Sequence, residues 1–231
     1  MDNVQNCEIK DFKHNGFATV SQVISPDRVE ELRCEATALA EEMKNSGHKS
    51  KTITDIYVLR PQWFDTFLNE RMTSALRDIL GTEYVLLPDS SVSFRRFNVL
   101  HADVTSWEVN GLMIHQDPAF LMVTAGLYLQ DSNEYGGGLW IVPGSHEKPD
   151  PIVNIRRKNR KLPMRIARRL GIVPEIREQC ERCELNKLGF DVKSHSGDAI
   201  IFDVIILHRA SMPVNLKAAP YGAIVAFLTG A

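Results

Sequence analysis

Residues 190–208 read FDVKSHSGDAIIFDVIILH. Two apolar runs, Phe190–Val192 and Ala199–Leu207, flank the turn signal Ser196-Gly197-Asp198, and His208 follows the second run. Short runs rich in Ile, Val and Phe, bounded by Gly, Asp and Ser, read as strands. The same texture extends outward. β-rich runs occupy Tyr84–Leu87, Ser91–Val99, Gly111–Ile114, Leu121–Gln130, Leu139–Val142 and Ala223–Leu228. Turn signals separate them at Pro88-Asp89, Asn110-Gly111, Asn133 through Gly138 and Pro143-Gly144. Short strands at that spacing predict a sandwich or barrel.

Upstream of Gly81 the pattern differs. A strand candidate, Gly16–Val23, precedes a helix start at Ser25-Pro26-Asp27. Serine suits the N-cap, proline the first helical position, and aspartate the positive helix end. Val29, Leu32, Ala36, Leu39 and Met43 keep a 3–4 spacing, so the helix carries one apolar face and ends near Asn45-Ser46-Gly47. A second helix is predicted over Gln62–Leu80, with Phe67, Met72, Ala75, Leu76 and Ile79 toward the core. Between Lys148 and Gly189 the β texture breaks, and Arg165–Leu170 and Glu175–Leu188 read as helices. The predicted architecture is mainly β: N-terminal helices packed on an antiparallel double-sheet core, with a late helical insert. One domain is expected over 1–231, divided into a helical part, 1–82, and a β core, 83–231, carrying the insert 148–189.

Composition bounds the function classes. With 44% hydrophobic and 24% charged residues in 231, the chain is neither disordered nor fibrous and is long enough to bury a full core. A net charge of −2 gives no overall attraction to nucleic acid or membrane. Four cysteines are too few for a disulfide scaffold. The segment MDNVQNCEIK has no basic or apolar leader region, and no apolar run is long enough to span a bilayer. A soluble, cytoplasmic protein is expected. The charge is uneven, however. Residues 148–170 hold nine Lys and Arg against Asp150 alone, which leaves 18 bases against 28 acids elsewhere.

Chemistry is carried by His115-Gln116-Asp117. Alternate residues of a strand share a face, so an imidazole and a carboxylate project together and can take two positions on one metal. His208, after an apolar strand and opening a loop, is the candidate third ligand. Two histidines and one carboxylate form the facial triad of non-haem Fe(II) oxygenases, which leaves coordination positions open. An isolated H-x-D is common, and a histidine after an apolar strand also serves as a satisfied rim residue. The signal lies in the combination.

The ordered set of motifs resembles the phytanoyl-CoA dioxygenase family of Fe(II)/2-oxoglutarate oxygenases. It comprises Phe12 through Phe17, the Ser25-Pro26 helix start, His115-Gln116-Asp117, Gly137 through His146 (GGLWIVPGSH), Gly197-Asp198, Phe202 and His208-Arg209-Ala210. The resemblance spans most of the chain. It implies a double-stranded β-helix, the jelly-roll core of cupin-like proteins. It implies Fe(II) on His115, Asp117 and His208, with 2-oxoglutarate and O2 as co-substrates. Oxidative decarboxylation to succinate and CO2 would then drive oxidation of an unactivated C–H bond, with the protein supplying orientation and a dry pocket. Related halogenases replace the carboxylate by a small residue so that halide reaches iron. Asp117 therefore favours hydroxylation, desaturation or ring closure. A tailoring role in secondary metabolism is expected, with a small organic substrate.

One feature departs from the family pattern. An arginine about a dozen residues after the distal histidine usually pairs with the C5 carboxylate of 2-oxoglutarate, yet no arginine follows Arg209. Tyr221 falls near that place and can donate one hydrogen bond without charge. Lys217, Arg95 or Arg96 can supply the charge, while strand parity turns Arg209 away. Tyr221 as a core residue remains an equal reading. Rival readings are a weak co-substrate site or a different 2-oxo acid, a non-catalytic member that has lost productive co-substrate binding, and a jelly-roll enzyme of another class holding a different divalent ion.

Two further patterns stand outside this set. Cys180 and Cys183 share a helix face, but a structural zinc site needs about four ligands, and only the isolated Cys7 and Cys34 remain. The basic stretch 148–170 reads either as a solvated face or as a lid that attracts an anionic substrate. It has no interleaved aromatic residue for stacking on bases, so nucleic acid is not an expected partner.

Overall fold

The computed structural model describes residues 8–47, 52–93, 122–135, 138–147, 189–203, 206, 208–210 and 223–230. A single turn, α1 (Phe12–Asn15), closes on Gly16 and leads into β1 (Phe17–Val20). Ser25 then caps α2 (Pro26–Asn45) by accepting from the Arg28 amide at 3.3 Å, with Pro26 at the first position as predicted. Val29, Leu32, Ala36 and Leu39 are buried along one stripe.

The chain continues through β2 (Thr52–Thr54) and α3 (Ile56–Leu59). The single helix predicted over 62–80 is two, α4 (Gln62–Phe67) and α5 (Glu70–Leu80). Asn69 breaks it. Its backbone is extended, and its carboxamide oxygen accepts from the Arg71 and Met72 amides, so it caps a new helix instead of continuing the old one. Its amide nitrogen donates to the Val23 and Thr66 carbonyls and ties the cap to the β1–α2 loop.

Two predicted strands, 84–87 and 91–99, begin as one: β3 (Tyr84–Ser93). The Pro88-Asp89 signal is a bulge, because the register shifts between Leu86 and Ser90. Proline has no N–H for the ladder and is accommodated where pairing is interrupted. There follow β4 (Met122–Tyr128), the turn α6 (Ser132–Tyr135), β5 (Leu139–Ile141), β6 (Phe190–Val192), β7 (Ala199–Asp203), β8 (His208–Ala210) and β9 (Ala223–Gly230). The run 199–207 is therefore not one strand. It stops at Asp203, and His208 begins a strand of the opposite sheet rather than opening a loop.

Two antiparallel sheets result, ordered β1-β7-β4-β9-β3-β2 and β6-β5-β8. The N-terminal segment thus supplies both edges of the large sheet. One core lies between the helices and that sheet, where Leu32, Trp63, Phe67 and Leu76 meet Val123, Ala125, Leu127 and Ile201. A second lies between the sheets, where Phe17, Tyr128, Ile200 and Phe202 face Leu139, Ile141 and Val192. Each large side chain so buried contributes about 1.5–3 kcal/mol. The double-sheet architecture is the expected jelly roll. Among the described residues no helix is long and apolar enough to cross a membrane.

Candidate metal centre

The predicted distal ligand, His208, is the first residue of β8. His208 pairs in register with Ile141 and is 5% exposed. Its ring lies against Phe202 of the facing sheet, with centroids 4.8 Å apart at 54°. His208 Nδ1 is 2.9 Å from the Ile206 carbonyl oxygen. A carbonyl only accepts, so Nδ1 carries the proton and the lone pair resides on Nε2. A backbone carbonyl on one ring nitrogen is the arrangement that fixes the tautomer and orientation of a metal-binding histidine.

The carbonyl is itself held in place. Asp203, the last residue of β7, donates its amide to the Gly16 carbonyl at 2.8 Å, one step further along the β1–β7 register, and the Ile206 amide donates to the Asp203 carbonyl at 3.1 Å. Among the described residues of the crossing, Asp203, Ile206 and His208 are thus linked by hydrogen bonds.

His115 and Asp117 lie outside the described residues, as do Lys217, Tyr221, Arg95, Arg96, Cys180, Cys183 and the insert 148–188. Among the described residues no three His, Cys, Asp or Glu side chains converge on one point. His208 is the described member of the predicted triad.

Two motif residues have architectural roles. Asp198 is 8% exposed, and its carboxylate accepts from the Gln22 amide and the His195 amide, each at 2.8 Å. It joins the β1–α2 loop to the β6–β7 turn. Gly197 beside it has φ 91°, and a Cβ there would come within 2.8 Å of the Ile24 carbonyl oxygen. His146 is half-buried and donates Nε2–H to the Lys13 carbonyl at 3.1 Å, which docks the GGLWIVPGSH segment onto α1. His195 pairs with Asp131 at 2.8 Å on the surface, away from the interior.

One residue with a polar group inside was not singled out by sequence reasoning. Thr124 of β4 is 1% exposed, and its hydroxyl finds no hydrogen-bond partner among the described residues. It pairs in register with Phe202, whose ring touches His208. Val123, Ala125 and Leu127 face the helices, so alternation turns Thr124 toward the space between the sheets. The available signal was a lone hydroxyl at the inward parity of an apolar strand. A buried unsatisfied hydroxyl costs about 1–3 kcal/mol, a cost that a bound water, ion or ligand would relieve.

Comparison with known proteins agrees with this fold. Residues 12–214 match the family described as Phytanoyl-CoA dioxygenase (PhyH). An ectoine dioxygenase of Nocardia farcinica is 21% identical over 225 residues, covering 90% of this chain and 72% of that protein. One of Streptomyces anulatus is 24% identical over 156 residues, covering 61% of this chain and 50% of that protein. The chain thus spans about half the length of some curated relatives. Among solved structures, the non-heme alpha ketoglutarate dependent epimerase SnoN from nogalamycin biosynthesis aligns with a TM-score of 0.66 at 16% identity, covering 96% of this chain and 82% of that one. EctD from S. alaskensis with bound Fe aligns with a TM-score of 0.63 at 16% identity, covering 100% of this chain and 79% of that one. At these identities the structural likeness establishes the fold.

Proposed function

The chain belongs to the phytanoyl-CoA dioxygenase family of iron- and 2-oxoglutarate-dependent oxygenases, and from that premise we propose that it oxidises an unactivated C–H bond of a small organic molecule. His115, Asp117 and His208 hold the iron. The observation that carries the reading is the His208 imidazole, buried between the sheets with Nδ1–H on the Ile206 carbonyl and its lone pair on Nε2.

Bound iron with 2-oxoglutarate supplies the oxidising chemistry. The residues of this chain orient and desolvate. The Ile206 carbonyl holds the His208 tautomer, and Phe202 shields its ring. Thr124 Oγ offers a donor to a co-substrate carboxylate placed between the sheets, which supports a fit between the interior and an oxygen-rich anion. Tyr221 and Lys217 are the further candidates for the C5 carboxylate. The basic stretch 148–170 favours an anionic substrate. Ectoine dioxygenase relatives and the SnoN likeness support a role on small metabolites.

The test is anaerobic addition of Fe(II) and then 2-oxoglutarate to metal-free protein. The expected result is a weak visible charge-transfer band that His115→Ala and Asp117→Ala abolish. A second reading has one observation in its favour, the absence of arginine after Arg209. In that reading iron binds, but 2-oxoglutarate produces no band and no succinate forms under O2. That result would reject the proposed activity and retain the metal site.

A further inference from the structure

Three segments meet above Gly16: the α1–β1 junction, the GGLWIVPGSH turn and the β7–β8 crossing. Gly16 has φ 78°, and a Cβ built on it would overlap His146 Nδ1 and lie 2.8 Å from Ile206 Cδ1. Glycine is required here by both backbone conformation and space. The His146 ring and the Ile206 side chain therefore occupy the room that a side chain at position 16 would take. His146 is fixed from the other side by its bond to the Lys13 carbonyl, and the Gly144 amide donates to the Asn15 carbonyl at 2.9 Å. The Gly16 carbonyl in turn accepts from the Asp203 amide, at the start of the crossing that ends on His208.

From this geometry we infer that His146 is a positioning residue for the metal centre, acting through Gly16 and Ile206 on the orientation of His208. The inference rests on the proposed function, in which His208 is a ligand. The His146 ring and Ile206 Cδ1 both border the space that a Gly16 Cβ would take, and the Ile206 carbonyl holds His208 Nδ1. A cavity of about 530 Å³ borders His146 and Asp203. Truncating the ring therefore adds open space beside the crossing, and the Ile206 carbonyl loses its lateral support. His146 Nδ1 is buried without a hydrogen-bond partner among the described residues, so the ring is kept at a cost for which packing on Gly16 is the evident return.

The experiment compares the whole protein with His146→Ala and His146→Gln. Gln retains an amide donor for the Lys13 carbonyl and much of the volume. Fe(II) affinity is measured anaerobically by equilibrium dialysis, and ¹⁵N NMR of the metal-free proteins reports the His208 tautomer. Removing a group that orients a ligand weakens metal binding by about 10–100-fold. The expected result is about a tenfold loss in His146→Ala with loss of the Nδ1–H tautomer, and recovery of both in His146→Gln. A purely structural role would lower the melting temperature without moving the tautomer. A wild-type tautomer and wild-type affinity in folded His146→Ala would overturn the inference alone. If His146→Ala does not fold, the same two measurements on His146→Leu, which lacks the donor and the ring, decide: loss of the Nδ1–H tautomer with weakened affinity supports the inference, and a wild-type tautomer overturns it. Absence of Fe(II) binding in the wild-type protein would overturn the proposed function, and the inference with it.

Discussion

Replacing Asp198 by alanine tests whether the Gly197-Asp198 motif is architecture or chemistry. Its carboxylate is 8% exposed and accepts from two backbone amides, Gln22 and His195, each at 2.8 Å. The partners belong to different loops, so one side chain joins the β1–α2 connection to the β6–β7 turn. Hydrogen bonds to a charged group contribute about 1.5–3 kcal/mol each. Losing both, and leaving two amides without their acceptor, gives an expected loss of about 3–5 kcal/mol. For a chain of this size a kcal/mol moves the melting temperature by about 2–4 °C, so the melt should fall by roughly 10 °C or more. Asp198 precedes β7 and His208 follows its far end. Five residues at about 3.3 Å each separate Asp198 from Asp203, roughly 16 Å. Fe(II) affinity measured well below the melt should therefore be unchanged. Differential scanning calorimetry and equilibrium dialysis on Asp198→Ala give the two numbers. An unchanged melt would show that the two amides find other acceptors. A folded variant that no longer binds Fe(II) would place Asp198 in the metal centre and refute the assignment.

Substitutions at three further residues have defined signs. Burial without a hydrogen-bond partner among the described residues pushes the Tyr57 phenol above its ordinary pKa. The unfolded chain therefore ionises first, and stability falls as pH rises above about 10, by up to ~1.4 kcal/mol per pH unit. Tyr57→Phe should flatten that alkaline slope in urea melts and leave neutral-pH stability equal or higher. Asn69→Ala removes the α5 cap and should cost at least about 1 kcal/mol, while Asn69→Asp keeps the acceptor but loses both donors, so denaturant titration should show partial recovery. Thr124→Val removes an orphaned hydroxyl. The metal-free protein should melt about 2–4 °C higher, whereas 2-oxoglutarate binding by the iron-loaded protein should weaken about tenfold, consistent with one lost bond to a charged carboxylate.

The elements legible in the sequence are those set by local periodicity and chemistry. The 3–4 spacing from Val29 to Leu39, the cap at Ser25-Pro26 and the runs that became β4, β5, β6 and β9 needed no tertiary information. Asn69 carried a readable cap preference, but it was hidden because an apolar spacing of four continues across it from Leu68 to Met72. Pro88-Asp89 names an interruption, and only the partner strand decides whether that interruption reverses the chain or bulges it. Here β9 pairs on both sides of it, so it bulges.

The candidate site divides along the same line. The residue types that bind a metal are local information, and His208 could be nominated from the apolar run before it. In the proposed function its imidazole binds iron through the nitrogen that the tautomer leaves open, and that tautomer depends on where the run breaks. Residues 199–207 are apolar except for Asp203, so hydropathy gives no reason to stop pairing at residue 203. The reason is tertiary. The β1 ladder runs out at Gly16, whose carbonyl takes the Asp203 amide in register; beyond it the Ile206 amide turns back to the Asp203 carbonyl, and the Ile206 carbonyl meets His208 Nδ1. A bulkier residue at position 16 would displace Ile206 and His146 together, and the break would lose the contact that sets it. The glycine in the N-terminal segment and the histidine near the end of the jelly roll are thus two ends of one constraint. Both appear among the motifs that carry the family resemblance, and the packing supplies a physical reason for finding them in the same chain.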